Sequence, residues 1–344
     1  MTRTQILALY NRFTSLIEKL PKGIREPVLN ELVPIRELFL EARPVRILFT
    51  GSAGRGMSEI LQDLSEGEPP CAGESDNGWR VWSAGSGQAL ILDARNDVPP
   101  SHLPAAIERF RPDVLVAIEG ARPPSPEEER STADRTALCG SDIPRFVLLD
   151  STSPHPESAR QSPAPERAFF LDEKEQLAEA ICASLPRPAQ LEFARLTGAR
   201  KAQAHIAGTL LNAFSALCGA IALQPIPLAD MPILTTLQTL MVGLIIYTTG
   251  RKAGKQLIAE FTTALGLSVG AGFLFREGAR ALVRIIPIWG NLVSGGIAAA
   301  GTYAIGRAAI AYFIEKKSKS ESRKIFRRWL PSRRKALPPP PAAG

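Results

Sequence analysis

The chain has 344 residues, enough for two domains that each bury a core. Apolar residues make up 45% and aromatics 6%, so aliphatic cores are expected. Its net charge of +7 is concentrated from Lys316 onward, where ten Lys or Arg stand against one Glu, and a basic tail on a near-neutral body is not the pattern of a DNA-binding fold. Cys71, Cys139, Cys182 and Cys218 are scattered without a C-x-x-C pair, which argues against a zinc site or a disulfide framework and suits a reducing compartment. His102, His155 and His205 lie far apart, so neither a histidine-based metal site nor a histidine-based catalytic site is expected. The N-terminus is charged and helical in pattern, so no secretory signal is expected.

Residues 3–42 read as two helices. Ile6, Leu7, Tyr10, Phe13, Leu16, Ile17 and Leu20 recur at helical spacing up to Pro21-Lys22-Gly23. Leu29, Leu32, Ile35, Leu38 and Phe39 continue the pattern until Pro44. Residues 45–186 then alternate strands and helices. Strand 45–50 runs into the glycine-rich turn Thr50-Gly51-Ser52-Ala53-Gly54-Arg55-Gly56-Met57-Ser58, and a helix opens at Ser58. The polar stretch 73–78 is expected to be mobile. A hairpin follows over 80–83 and 88–93, then helix 102–110, strand 113–119, charged helix 125–138 and strand 145–150. A Pro/Ser-rich loop leads to strand 167–171 and helix 173–184. This order predicts a mostly parallel α/β sheet with helices on both faces.

Gly51, Gly56 and Ser58 match the G-x-x-x-x-G-K-[ST] spacing of a phosphate-binding loop, but Met57 occupies the lysine position. With the hairpin and the later βα units, residues 45–186 resemble the Ras/Era-like P-loop GTPase domain. The family's D-x-x-G element corresponds to Asp93-Ala94-Arg95-Asn96, with Asn in place of Gly. Where its guanine-reading N-K-x-D element belongs stands Asp150-Ser151-Thr152-Ser153, and near the Ser-Ala-Lys element stands Phe169-Phe170-Leu171-Asp172. The resemblance implies a vestigial nucleotide site made of Gly51, Gly54, Gly56, Ser58 and Asp93, and no catalytic residue is assigned. Were it active, magnesium would be held through Ser58 and Asp93, with GTP as the ligand. The glycines alone also suit a plain strand-to-helix turn, and Arg55 is a candidate to replace part of the missing lysine charge, although the sequence does not fix its direction.

Beyond Gly198 the composition changes. Residues 202–229, 231–250 and 285–306 contain no Asp, Glu, Lys or Arg. Each run reaches the roughly 20 apolar residues needed to cross a bilayer. Frequent Gly and Ala, including Gly266-x-x-x-Gly270, favour close helix packing. A near-repeat pairs Pro225-Ile226-Pro227-Leu228-Ala229-Asp230, before a helix ending Tyr247-Thr248-Thr249-Gly250-Arg251, with Pro287-Ile288-Trp289-Gly290-Asn291, before a helix ending Tyr303-Ala304-Ile305-Gly306-Arg307. Two helical hairpins are expected. These segments, with the Gln238-containing helix and Gly306-Arg307-Ala308-Ala309, resemble the C-terminal domain of the bacterial YcjF-like family over residues 200–316. That resemblance implies membrane association beside a GTPase-like domain.

The expected organisation is an N-terminal helical arm (1–43), a degenerate GTPase-like domain (44–190), an apolar helical module (191–316) and a basic, Pro-rich tail without fixed fold (317–344). Arg200, Lys201, Arg251, Lys252 and Lys255 flank the first hairpin, whose turn carries only Asp230, which places both hairpin ends on the cytoplasmic side. In the tail, Arg323, Lys324, Arg327, Arg328 and Trp329 are the expected lipid contacts. The resulting expectation is a scaffold at the cytoplasmic membrane face, without cofactor. Its partners are membrane lipids and further proteins, with no specific nucleic acid and with homo-oligomerisation left open. The alternatives are an active membrane GTPase with an irregular site and a soluble helical interaction protein, for which Arg276, Arg280 and Arg284 would form a solvated stripe on a helix over 254–286.

Overall fold

The computed structural model describes residues 22–51, 57–64, 71–76, 79–85, 87–95, 103–119, 143–149, 167–170, 173–223, 230–251, 255–265 and 290–330, with single positions within 10–18 and 126–137. The first arm helix, the charged helix over 125–138, the Gly266-x-x-x-Gly270 motif and the Arg276–Arg284 stripe fall wholly or largely outside them. The chain divides into two compact units, residues 41–203 and residues 1–40 with 204–344.

The first unit is an α/β domain. Its elements are β1 (Val45–Gly51), α2 (Met57–Leu64), β2 (Cys71–Asp76), β3 (Trp79–Ala84), β4 (Ala89–Asp93), α3 (Leu103–Phe110), β5 (Val114–Glu119), β6 (Arg145–Leu149), β7 (Arg167–Phe170), α4 (Lys174–Ser184) and α5 (Arg187–Thr197), where α1 is kept for Lys22–Ile35 of the second unit. The strands form one seven-stranded mixed sheet in the order β2-β3-β4-β1-β5-β6-β7. β1 pairs in parallel with β4 and β5, and β6 and β7 extend the parallel part. β2, β3 and β4 are antiparallel to one another. The parallel strands read as continuous apolar runs because both of their faces are covered. Leu48, Leu92 and Leu115 bury one face against Ile107 of α3. Ile47, Phe49, Ile91 and Val116 point the other way, toward Leu61 of α2, Leu177 and Ile181 of α4 and Phe193 and Leu196 of α5. Helices therefore cover both faces, as the alternating pattern predicts. Between them lies an apolar cavity of about 20 Å³, too small for a cofactor and too apolar to hold a water.

Two expectations for this unit are corrected. Residues 71–76 form edge strand β2 instead of a mobile stretch, because backbone pairing with β3 does not depend on their weak β propensity. The domain also extends past residue 190 to Gln203, because α5 packs on β1 and β4. Pro188 sits in the first turn of α5, and Gly198 closes it in the left-handed conformation (φ +65°).

The described residues of the second unit are helical. They comprise α1 with a π-helical turn over Arg36–Leu40, α6 (Arg200–Ala222), which continues from the first unit, α7 (Asp230–Thr248), α8 (Lys255–Ala264), α9 (Gly290–Ala309) with a π-helical turn over Ile310–Ile314, and α10 (Lys319–Trp329). Leu32, Ile35, Leu38 and Phe39 are buried, and the Phe39 ring lies 6.2 Å from that of Tyr247. Gln238 of α7 donates to Thr302 of α9 at 3.0 Å. The Phe261 ring of α8 meets Tyr312 and Phe313 at 5.8 and 5.1 Å.

The near-repeat does not carry through to equivalent helix ends. Gly250 follows α7 with φ +76°, whereas Gly306 lies inside α9. There the missing side chain makes room for Leu211 and Met241. The tail, expected to lack a fixed fold, forms α10 over 319–329. Ser318 and Glu321 close a capping box: the Glu321 N–H donates to Ser318 Oγ at 3.3 Å, and the Ser318 N–H donates to Glu321 Oε2 at 2.9 Å.

Two outcomes follow from this packing. At the approach of α6 to α9, a Cβ on Gly219 would stand 3.1 Å from Ala299 Cβ and 3.4 Å from the Gly295 carbonyl oxygen. In denaturant titrations, Gly219→Leu should cost about 1–3 kcal/mol. Gly296→Ala, which meets open space, should be stabilising by about 0.5–1 kcal/mol. The second outcome concerns the cap. Hydrogen bonds from Ser318 hold the Glu321 carboxyl below the ordinary glutamate value. The cap is therefore complete above that ordinary value and is lost as pH falls through the lowered one. A carboxyl-carbon NMR titration should show this, with the midpoint rising in Ser318→Ala; an unmoved midpoint contradicts the cap.

Candidate functional site

The strand order reverses at β1, whose neighbours β4 and β5 are reached in opposite directions along the sheet. In open α/β sheets, ligands sit beyond the carboxyl ends of the strands at such a point. Gly51 ends β1, Asp93 ends β4, and Met57 and Ser58 open α2. Of the five residues expected at a nucleotide site, Gly51 and Asp93 thus lie on adjacent strands and Ser58 is exposed in the first turn of α2. Gly54, Gly56 and Arg55 lie outside the described residues.

Gly51 has φ +93°, and a Cβ there would run into the backbone carbonyl of Ile118 on β5. Only glycine lets β1 turn out of the sheet this close to its neighbour. Thr50, just before it, is fully buried, and its hydroxyl finds no hydrogen-bond partner among the described residues.

The chain leaves β4 through a tight path, with the Ala94 N–H donating to the Phe49 carbonyl at 2.8 Å. Arg95 then folds back on Asp93: Nε donates to Oδ1 at 2.8 Å and Nη2 to Oδ2 at 2.9 Å. The Arg95 side chain is 5% exposed and that of Asp93 14%. This is the two-pronged match of guanidinium to carboxylate, and it engages both Asp93 oxygens with a cation supplied by the chain itself. Sequence reasoning set out Asp93-Ala94-Arg95-Asn96 but missed this role of Arg95. The available signal was an arginine two residues beyond a strand-ending aspartate.

A second pair, with Asp113 buried and Arg43 about one third exposed, ties the opposite ends of the strands. Arg43 donates to Asp113 at 2.7 and 2.5 Å, and Asp113 also accepts the Arg46 N–H at 3.0 Å. The hydrogen bond to Asp113 raises the Arg43 pKa. This pair fixes the amino ends of β1 and β5, away from the switch point. Cys182 is pushed up to about 12 by burial, so its thiol stays protonated and is not a nucleophile.

The expected lipid contacts all lie on α10. Arg323, Lys324, Arg327 and Arg328 are exposed, while Ser322 and Phe326 are buried on the opposite side. Trp329 is 47% exposed, and its ring lies 4.9 Å from that of Tyr303.

No protein-family model and no curated protein sequence matches the chain.

The Asp93–Arg95 pair yields a stability outcome. Arg95→Met strands a carboxylate in a nearly closed site and should cost about 3–5 kcal/mol in urea unfolding. Asp93→Asn combined with Arg95→Met should recover much of that loss. A single-variant cost below about 1 kcal/mol, as for a surface pair, would contradict the buried pairing.

Proposed function

We propose that this chain is a membrane-associated scaffold whose α/β unit derives from the P-loop GTPase class and has exchanged nucleotide chemistry for protein interaction, with the helical unit as an all-α module at the cytoplasmic membrane face. The single observation that carries the reading is the bidentate seat of Arg95 on Asp93. A magnesium ion near nucleotide phosphates needs carboxylate oxygens that are open to it or to its waters. Both oxygens of Asp93 face a guanidinium, and Met57 stands where a phosphate-reaching lysine belongs. The described residues do not fit a magnesium–nucleotide pair. Gly51 and the opening of α2 retain the strand-turn-helix geometry, which serves the fold without a ligand.

The membrane part of the reading is supported by two helical segments, Arg200–Ala222 and Gly295–Ile314, that are long and apolar enough to cross a bilayer by length and composition. The exposed cations Arg323, Lys324, Arg327 and Arg328 of α10 add a basic surface in the same unit. With no nucleotide to turn over, the exposed surfaces of the α/β unit are left to bind protein partners.

The reading is tested by calorimetric titration of the full-length protein with GDP and with GTP, each with and without magnesium chloride. No binding is expected in the micromolar range. Micromolar binding that is lost in Gly56→Val would overturn the scaffold in favour of an active nucleotide site.

A further inference from the structure

We infer that the outward face of α10 is the surface by which the chain meets a bilayer, gripping the phosphates of anionic lipid headgroups while the apolar helices stay folded inside the protein. This rests on the membrane reading above and specifies its mode.

The face is built by helical spacing. Lys319, Arg323, Lys324, Arg327 and Arg328 fall within one half of the helix circumference, and all are exposed. Ser322, Ile325 and Phe326 fall in the other half, buried or half-buried toward the rest of the unit, where α10 packs on α9. Glu321, the one acid in the helix, lies at the margin and is engaged by the Ser318 cap. The capping box and the Tyr303–Trp329 ring contact hold the helix at its two ends. The helix backbone therefore holds the cations along one fixed ridge.

The described apolar helices turn most of their large side chains inward, and Ile297 of α9 is the one large aliphatic side chain exposed (36%) among the described residues. The exposed residues of α6 beyond Lys201 are His205, Asn212 and Ala216, and those of α7 include Thr235, Thr236 and Thr239. A helix bathed in lipid would present large aliphatic side chains at these positions, because hydrocarbon offers polar groups no partner. Instead the large residues of α6, such as Leu210, Phe214 and Leu217, are buried in the protein. Attachment then falls to surface charge, which suits α10. Trp329 falls in the half of the helix that holds Ser322 and Phe326 and packs on Tyr303, so the cations alone form the outward ridge. A strand of nucleic acid would instead favour several exposed aromatics for base stacking, and α10 exposes only Trp329.

The test is flotation of the full-length protein with phosphatidylcholine vesicles, with and without phosphatidylglycerol as a minor component. Binding is expected only to the anionic vesicles, with release near 1 M salt, where screening shortens to about 3 Å. Combining Arg323→Gln, Lys324→Gln, Arg327→Gln and Arg328→Gln should weaken binding by about 100-fold or more, with thermal unfolding unchanged. Should that variant not fold, the pairs Arg323→Gln/Lys324→Gln and Arg327→Gln/Arg328→Gln should each weaken binding roughly tenfold. Undiminished binding by these variants overturns the assignment to α10 and leaves the membrane reading standing. Salt-resistant binding to pure phosphatidylcholine overturns the peripheral mode alone. Failure of the wild-type protein to bind any vesicle overturns both readings, and tighter binding to a single-stranded RNA than to anionic vesicles reassigns the face to nucleic acid.

Discussion

Strand β1 is enclosed on all sides. It carries a parallel neighbour along each edge, and of its seven residues only Arg46 is not fully buried. Every backbone group in such a strand must pair within the sheet, and both faces must be covered by apolar side chains. Much of the α/β unit answers that demand. Leu48 calls for α3 on one face, while Ile47 and Phe49 call for α2, α4 and α5 on the other. The chain then has to leave β1 at an end where β5 crowds it, and Gly51 is the residue that can do so.

The same enclosure sets the electrostatics at the strand ends. A carboxylate at the carboxyl edge of a covered sheet loses water, and a hydrogen-bonded cation offsets that loss. Asp93 is in that position, and Arg95 is the partner that the chain supplies locally. Asp113 at the opposite edge faces the same problem and is answered by Arg43. The two pairs differ in what they fix. Arg43–Asp113 joins segments distant in sequence and so contributes to the register of β1 and β5. Arg95–Asp93 spans two residues, so it sets the path out of β4 and leaves the strand pairing to the backbone.

What could be read from the sequence divides along physical lines. β1, β5 and β6 were legible because strands buried on both faces need continuous apolar runs. The β3–β4 hairpin showed through the Gly-Ser-Gly turn between two apolar strands. β2 was not, since Cys71-Ala72-Gly73-Glu74-Ser75-Asp76 has the composition of a loop and is held by backbone pairing at a sheet edge. α10 was obscured by its charge, although Ser322, Ile325, Phe326 and Trp329 follow helical spacing and Ser318…Glu321 is a capping box. At the candidate site, the glycine spacing marked the turn at Gly51, and the family resemblance marked Asp93 as a strand end. The grip of Arg95 was not legible, because it depends on how the backbone turns after β4, which a residue pattern does not encode. Gly250 and Gly306 make the same point in the second unit: similar local sequence ends one helix and lies within another, according to what packs against it.

Hydropathy shows a related limit. A window of apolar residues measures how much of a helix avoids water, and it is silent on whether lipid or protein provides the shelter. Arg200–Ala222 and Gly295–Ile314 pass the length test, yet 61% and 50% of their apolar windows are already buried within the protein. The Gly219–Ala299 approach and the Gln238–Thr302 hydrogen bond lie along those helices. Small residues let α6 and α9 come close, and that closeness buries the aliphatic surface that lipid would otherwise cover. The more of this surface the protein covers itself, the smaller the hydrophobic gain left for entering a bilayer. What the protein adds outside that cover is charge: Lys319, Arg323, Lys324, Arg327 and Arg328 stand exposed on the outer face of a docked, capped helix.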